Sequence, residues 1–550
     1  VSQHRRRPPA RNVKQRRMIV AGAVAGTIAL GVGLGLWASA GDGGPAGSAQ
    51  QPSAGRTGDS SGSDGTSAKP SPTRSYALSK APATIPAVRS HTAARGPGWR
   101  PARGERVVVG DADLADEGRL IAGELGLAYG GEKDDVQAGD VRLALNDDEG
   151  ADPESYTMTV RGGRVSISGR SDAGVFYGTR TLKQEVHGSG TAPEGVVKDG
   201  PAKPVRGFML DIARKHFTAG WIEDRVRELG DLKFNELGLH FSDDQGFRIE
   251  SGTHPEIVSE QHLTKAEVKK IVGLAASRHI TVVPEIDSPG HLGAVIAAHP
   301  DLQLRNTRGV AARGAVDISK PAAARIIDDL LNEYAGLFPG GKWNLGGDEY
   351  QALMAPSPSA SYPQLAAAAQ KAYGPGGTIS DLATGWLNDR ARTVRAHDRT
   401  MRAWNDGFYA GTSVQPAKDL QVAYWTGKEI GARQPVEYLS AGRKLINYND
   451  EYLYYVLGQP NGFVYPTGRR IYEQWTPLVV RGTQAVPARY DAQILGGSFA
   501  VWCDLSGSQT QDQVAAGIRM PLRATVQKLW DPRRPALTWA QFQALAAKVG

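Results

Sequence analysis

Trp343-Asn344-Leu345-Gly346-Gly347-Asp348-Glu349 is a short apolar run that ends in two glycines and two adjacent carboxylates. A β-strand of this composition buries its apolar part, and the glycines let the backbone turn at little steric cost. The two acids are then left at the strand's C-terminal end, which in an α/β barrel is the end that carries reacting groups. Taken alone, the stretch reads better as a strand and a turn bearing a solvated acidic pair. Its meaning depends on the chain around it.

From residue 204 onward, apolar strand-like runs alternate with amphipathic stretches, the pattern of repeated βα units and a parallel sheet. Eight strands are expected, at 205–211, 236–241, 280–286, 343–347, 400–404, 421–425, 444–448 and 495–502. Helices are expected between them, among others at 264–278, 322–338 and 379–396. The fold class is therefore α/β, a (β/α)8 TIM barrel over residues 203–550. Residues 83–202 carry short alternating segments at 106–109, 141–145 and 164–168, with helical stretches at 114–126 and 173–186. They read as a small α+β domain without a catalytic constellation, suited to packing.

The amino end differs in kind. Seven of the 64 basic residues fall within residues 1–17, where there is no acid, and the remaining 57 match the 57 acidic ones. The net charge of +7 thus belongs to a tail, and a nucleic-acid-binding face is not expected. Residues 18–40 form an uncharged apolar stretch that fits a transmembrane anchor with the basic tail in the cytoplasm, or a signal peptide cleaved at Ala38-Ser39-Ala40. Both readings export the remainder, anchored to the membrane or secreted. Residues 41–82 are rich in Gly, Ser, Ala, Pro and Thr and read as a flexible linker. A single cysteine, Cys503, excludes an intramolecular disulfide and a cysteine-based zinc cluster.

The ends of the eight expected strands are polar, acidic or aromatic. Arg206 and Asp211 flank the first strand, and His240, Asp243 and Asp244 follow the second. Glu285, Asp287 and His291 follow the third, and Asp348 and Glu349 close the fourth. Trp404, Trp425, residues 447–454, and Trp502 with Asp504 end the remaining four. Any one of these reads as surface or as a structural ion pair; eight on one barrel face point to a site. Tryptophans combined with carboxylates suit a sugar, whose ring faces stack on indoles and whose hydroxyls take charge-assisted hydrogen bonds. Burial and a like-charged neighbour raise a carboxyl pKa, which leaves one acid protonated to assist a leaving group.

The chain resembles glycoside hydrolase family 20, the β-N-acetylhexosaminidases, from about residue 83 to the end. The resemblance is carried by Arg206-Gly207 with Leu210-Asp211-Ile212-Ala213-Arg214, by residues 239–248 and 283–291, and by Gly346-Gly347-Asp348-Glu349. Residues 401–407 and 446–454 are similar to the dispersin B-like branch, which acts on a β-1,6-linked N-acetylglucosamine polymer. The resemblance implies retaining, substrate-assisted hydrolysis, with no cofactor and no metal. It implies Glu349 as general acid and Asp348 as the group that orients the substrate's acetamide and stabilises an oxazolinium intermediate. Tyr452 is expected to bond the acetamido oxygen, and Trp404, Trp425 and Trp502 to enclose the sugar. Arg206 and Asp504 are expected to hold hydroxyls, with Asp243, Asp287 and His291 in support. Three positions depart from the usual pattern: Asn344 stands where His is usual, Asp504 where Glu is usual, and Tyr454 where many members have Asp.

The expected partner is an N-acetylglucosamine-containing oligosaccharide or polysaccharide, and the membrane if residues 18–40 are uncleaved. Two other functions fit some of the same residues. One is a surface lectin that keeps the sugar pocket without turnover, which the intact Asp348 and Glu349 disfavour. The other is a metal-dependent hydrolase built on His240, Asp243, Asp287 and His291, for which no HExxH-type spacing is present.

Overall fold

The computed structural model describes residues 75–133, 135–147, 152–428 and 433–550. The expected basic tail, the apolar segment and nearly all of the linker lie outside the described residues. Among the described residues no helix is long and apolar enough to cross a membrane.

Seven strands make the first sheet: β1 (His91–Ala93), β2 (Arg106–Val109), β3 (Ala128–Glu132), β4 (Val141–Leu145), β5 (Tyr156–Arg161), β6 (Arg164–Gly169) and β7 (Gly195–Asp199). Their order is β1-β7-β5-β6-β4-β2-β3, with antiparallel and parallel pairs mixed. In β5 and β6 buried residues alternate with exposed or half-buried ones, the signature of a sheet covered on one face. The cover is the pair of helices Ala115–Leu125 and Asp172–Ser189, packed over Val107, Leu143 and Ile167. Ser171 caps the second helix by accepting the Gly174 N–H, and Gly190 ends it at φ 74°, a conformation that suits glycine. Sequence periodicity located the two helices and three of the seven strands. Of the rest, β1, β3 and β7 are short or glycine-containing, with little alternation to read, whereas β5 alternates as clearly as β6 and is missed.

The second sheet is a closed parallel barrel. Its strands are β8 (Val205–Asp211), β9 (Glu236–Ser242), β10 (Thr281–Ile286), β13 (Lys342–Asn344), β14 (Thr400–Trp404), β15 (Gln421–Tyr424), β16 (Leu445–Asn447) and β18 (Ile494–Trp502). Each pairs with the next in that order, and β18 returns to β8. A hairpin of β11 (Gln303–Arg305) and β12 (Ala311–Val316) is inserted after β10, and β17 (Tyr454–Val456) lies beside β18. Every residue of β8 is buried, as expected of a strand with neighbours on both faces. The expected strand at 343–347 is shorter than read. It leaves the ladder after Asn344, where Gly346 and Gly347 take φ of 67° and 97° in succession and turn the backbone.

The barrel interior is filled by side chains rather than open. Near the strands' N-terminal ends, Glu236 is held by Arg402 and Lys342, each at 2.7 Å. Burial would raise the Glu236 carboxyl, but the two cations bring it down to about 2. Toward the other end, Glu285 accepts from Asn344 at 2.7 Å and Trp404 Nε1 at 2.9 Å, and lies 2.8 Å from His240 Nδ1. Asn344 also accepts the Gly346 N–H at 3.2 Å, so one residue ties the barrel interior to the turn before the acid pair.

Candidate active site

Because all eight barrel strands are parallel, their C-terminal ends open on one face, where a cavity of about 590 Å³ is lined by Asp348, Glu349, His291, Asp243, Arg214 and Asp504, among others. Backbone conformation brings the acids there. Glu349 adopts φ 47° and His291 φ 55°, two of seven non-glycine residues in the left-handed region among those described. Such conformations cost about 1–2 kcal/mol each and persist only where surroundings hold them. For Glu349 the holding group is Asp406, whose Oδ2 accepts the Glu349 N–H at 3.0 Å. Gly346 is required for a second reason: a Cβ there would overlap the Asp287 carboxylate.

A chain of charged groups leads away from the pair. His291 Nε2 lies 3.4 Å from Glu349 Oε2 and 3.6 Å from Asp348 Oδ2, and its Nδ1 is 3.3 Å from Asp243 Oδ2. Asp243 also meets Arg214 at 2.7 Å and His240 Nε2 at 2.7 Å, and Arg214 continues to Asp211 at 3.0 Å. Burial by itself lowers His291, yet Asp243 and Asp348 raise it well above an ordinary imidazole. That imidazolium, 3.4 Å away, lowers Glu349 against its own burial. Burial raises Asp348, and burial together with Asp348 raises Asp287 well above the carboxylate range. Of the two, Asp287 is the carboxyl pushed further toward its neutral form, and Gly347 N–H donates to Asp287 Oδ1 at 2.7 Å. Asp406 is pushed up to about 7 by burial and by Asp348. The proton count of the site thus belongs to a coupled cluster rather than to any single residue.

The aromatic wall is built from three strand ends. Trp425 stacks on Tyr454 at 5.7 Å with 6° between ring planes, and its Nε1–H donates to Asp406 Oδ1 at 2.9 Å. Trp502 packs 5.9 Å from Tyr454 and 5.9 Å from Trp404, and the Arg214 guanidinium lies 5.3 Å from its ring. Trp404 is buried behind it, committed to Glu285.

Of the expected site residues, Asp243, Asp287, His291, Asp348, Glu349, Trp425, Trp502 and Asp504 line the cavity, and Trp404 backs it. Two are not brought there. Arg206 is the second residue of β8, about 16 Å of strand from its C-terminal end. It is completely buried, clamps Glu154 of the first domain at 2.7 and 2.9 Å, and donates to the Lys233 and Lys203 carbonyls. Tyr452 is buried beneath Arg470, with its hydroxyl 3.4 Å from Gln474. Arg214 and Tyr454 stand in the cavity instead. Arg214 lies eight residues after Arg206 and beyond the end of β8, and Tyr454 two residues after Tyr452; a strand's period of two places residues two apart on one face, so alternation does not tell the tyrosines apart. Asp406 lies two residues past the end of β14, and nothing in the sequence shows that it holds Glu349. Asn447 and Asn449, at another strand end, serve structure: both donate to the Val479 carbonyl.

His240 has each ring nitrogen within 2.8 Å of a carboxylate, Asp243 on one side and Glu285 on the other. Asp287, His291 and Asp348 each offer one atom within 4.8 Å of the others, so a cation there is testable by chelation.

Sequence profiles agree with this architecture. The profile described as "Glycosyl hydrolase family 20, catalytic domain" matches residues 204–525, and that of "Glycosyl hydrolase family 20, domain 2" matches 81–200. A lacto-N-biosidase of Bifidobacterium bifidum is 30% identical over 478 residues, which are 85% of this chain and 42% of that protein. A β-hexosaminidase of Vibrio furnissii is 27% identical over 428 residues, 70% of this chain and 67% of that protein. The chain spans less than half the length of several curated relatives it matches. The fold is similar to that of the β-N-acetylhexosaminidase from Streptomyces coelicolor A3(2), with TM-score 0.68 and 24% identity over 86% of this chain and 96% of that one.

Proposed function

Because the chain belongs to glycosyl hydrolase family 20, we propose that it is a β-N-acetylhexosaminidase that removes terminal β-linked N-acetylglucosamine with retention of configuration. The observation that carries this reading is the Asp348-Glu349 pair, held by a strained turn against His291 and facing a wall of Trp425, Tyr454 and Trp502. The acetamido oxygen of the bound sugar attacks the anomeric carbon as the glycosidic bond breaks, and Glu349 gives its proton to the leaving oxygen. Asp348 accepts the acetamido N–H and balances the positive charge of the oxazolinium. Glu349 then takes a proton from water, which adds to the anomeric carbon and reopens the ring. In this scheme Arg214 and Asp504 hold hydroxyls at the cavity's closed end, and Tyr454 faces the acetamide.

Placement separates the two arginines. Arg214→Lys is expected to lower kcat/KM at least about tenfold, because a single ammonium cannot replace a guanidinium bonded to both Asp211 and Asp243. Arg206→Lys is expected to leave KM unchanged and to destabilise the fold by about 3 kcal/mol, through the broken pair with Glu154. Steady-state kinetics and denaturant melts of the two variants check both; a raised KM in Arg206→Lys would return it to the site.

The reading is tested by hydrolysis of a chromogenic N-acetyl-β-glucosaminide with and without chelator, followed by product analysis on β-1,4- and β-1,6-linked oligomers. Chelator-resistant release of N-acetylglucosamine supports it. Sugar binding without turnover would leave a lectin, and loss of activity on chelation a metal enzyme. Release of a disaccharide would move the chain toward the activity named for its B. bifidum relative. Preference for the β-1,6 linkage is what our placement in the dispersin B-like branch requires; it rests on residues 401–407 and 446–454 alone. Export rests on residues 18–40 and is tested by locating the protein in fractionated cells.

A further inference from the structure

Away from the cavity, three loops converge on a second group of ligating side chains. After β9 the chain forms a 3-10 turn, Pro255–Ile257, preceded by His254. The helix Gly293–Ala298 follows His291 and ends at His299, and the helix Pro321–Leu337 passes beside both and carries Asp329. One oxygen, Glu256 Oε1, lies 3.0 Å from His254 Nδ1 and 2.9 Å from His299 Nε2. His254 Nε2 faces Asp329 Oδ2 at 3.3 Å. The three residues His254, Glu256 and His299 offer one atom each within 4.8 Å of one another.

We propose that His254 Nδ1, Glu256 and His299 Nε2 bind a divalent transition-metal ion of the zinc class. Ligands about 2.0 Å from a tetrahedral zinc stand about 3.3 Å apart, so the two spacings to Glu256 need to open by only a few tenths of an ångström, and the two histidine nitrogens already lie within 4.8 Å. Two imidazoles and a carboxylate are the donor set that zinc takes when a fourth position is left to water, and Glu256 is exposed enough to admit it. Asp329 supplies what metal-bound histidines commonly have, a carboxylate on the other ring nitrogen that fixes tautomer and orientation. Without a metal, satisfying both carboxylates requires a proton on each nitrogen of His254. A cation replaces the Nδ1 proton and leaves the Nε2–H on Asp329.

The site is preorganised from outside. His254 N–H donates to Ser251 Oγ at 3.0 Å, and Glu333 accepts from Ser251 Oγ at 2.7 Å, Gly252 N at 2.6 Å and Thr253 N at 3.2 Å. The loop carrying two of the three ligands is thereby fastened to the helix that bears Asp329. A bound ion would tie it to the far end of the helix that starts beside His291, a clamp across the loops after β9 and β10. None of the three ligands lines the cavity that holds Asp348 and Glu349, so glycoside hydrolysis is not expected to depend on the ion.

The test uses the full chain stripped of metal, titrated with ZnCl2 by calorimetry and melted with and without zinc. Wild type is expected to bind one ion at this site and to gain about 2 °C in Tm at saturation. Asp329→Asn is expected to weaken binding about tenfold and His254→Ala/His299→Ala to abolish it, with hydrolysis at the wild-type rate as the check that both fold. Glu256→Gln, nearly isosteric, is expected to weaken binding as well. No saturable binding by wild type, or binding of equal strength in the double variant, would overturn the proposal.

Discussion

Glu349→Gln is expected to hydrolyse unactivated N-acetylglucosamine oligomers about 10³-fold more slowly than wild type, with KM little changed, because the amide carries no transferable proton. The same variant is expected to lose less on an aryl glycoside whose phenolate leaves unaided, since protonation of the leaving oxygen then matters little to glycosidic cleavage. This ratio of losses identifies a general acid, and an equal loss on both substrates would argue for a role in folding or binding instead. The structure adds a condition. In the unliganded protein the His291 imidazolium, 3.4 Å away, holds Glu349 toward its ionised form. The proton needed for the first step is therefore shared between Glu349 and His291, and the alkaline limb of a kcat/KM profile reports the pair rather than Glu349 alone.

Asp348→Asn is expected to lower kcat by about 10²- to 10³-fold, the usual cost of removing one preorganised electrostatic contact to a charge that develops in the transition state. Substrate binding is expected to survive, because the oxazolinium charge is absent from the ground state. The replacement keeps size and shape. It removes the negative charge, so the acetamide is no longer drawn toward the anomeric carbon. Inhibition by a stable thiazoline mimic of the intermediate separates this from misfolding: the variant is expected to bind the mimic at least about tenfold more weakly, while N-acetylglucosamine binds as before. An Asp348→Asn enzyme as active as wild type would end the substrate-assisted assignment.

Much of this was open to sequence reading because barrel strands carry strong local signals. Val205–Asp211 and Thr400–Trp404 lie where hydrophobic runs predict them, and helix Lys265–Ala276 begins at Thr264, whose capping box with Glu267 is written in the residues. The departures occur where position depends on partners distant in sequence. Arg206 and Arg214 sit at opposite ends of β8, and only the first domain's Glu154 shows that Arg206 belongs to the interface. Tyr452 and Tyr454 differ by two residues, and the pairing of β17 with β18 decides which faces Trp425. Asn344, an unusual residue at its position, proves to be a bridge between Glu285 and the Gly346 amide.

Residues 343–349 show the division in one place. Composition alone determined that the stretch ends a strand with two glycines and leaves two acids beyond it, because glycine's backbone freedom and the burial of apolar side chains are local properties. Which acid is ionised, and why the turn is stable, is a tertiary matter. Asp406 from β14's end holds the left-handed Glu349, His291 from β10's loop favours its ionised form, and burial with Asp348 pushes the Asp287 carboxyl up. Electrostatic free energy in a buried site depends on distances between groups far apart in the chain, and these exist only once the barrel has closed.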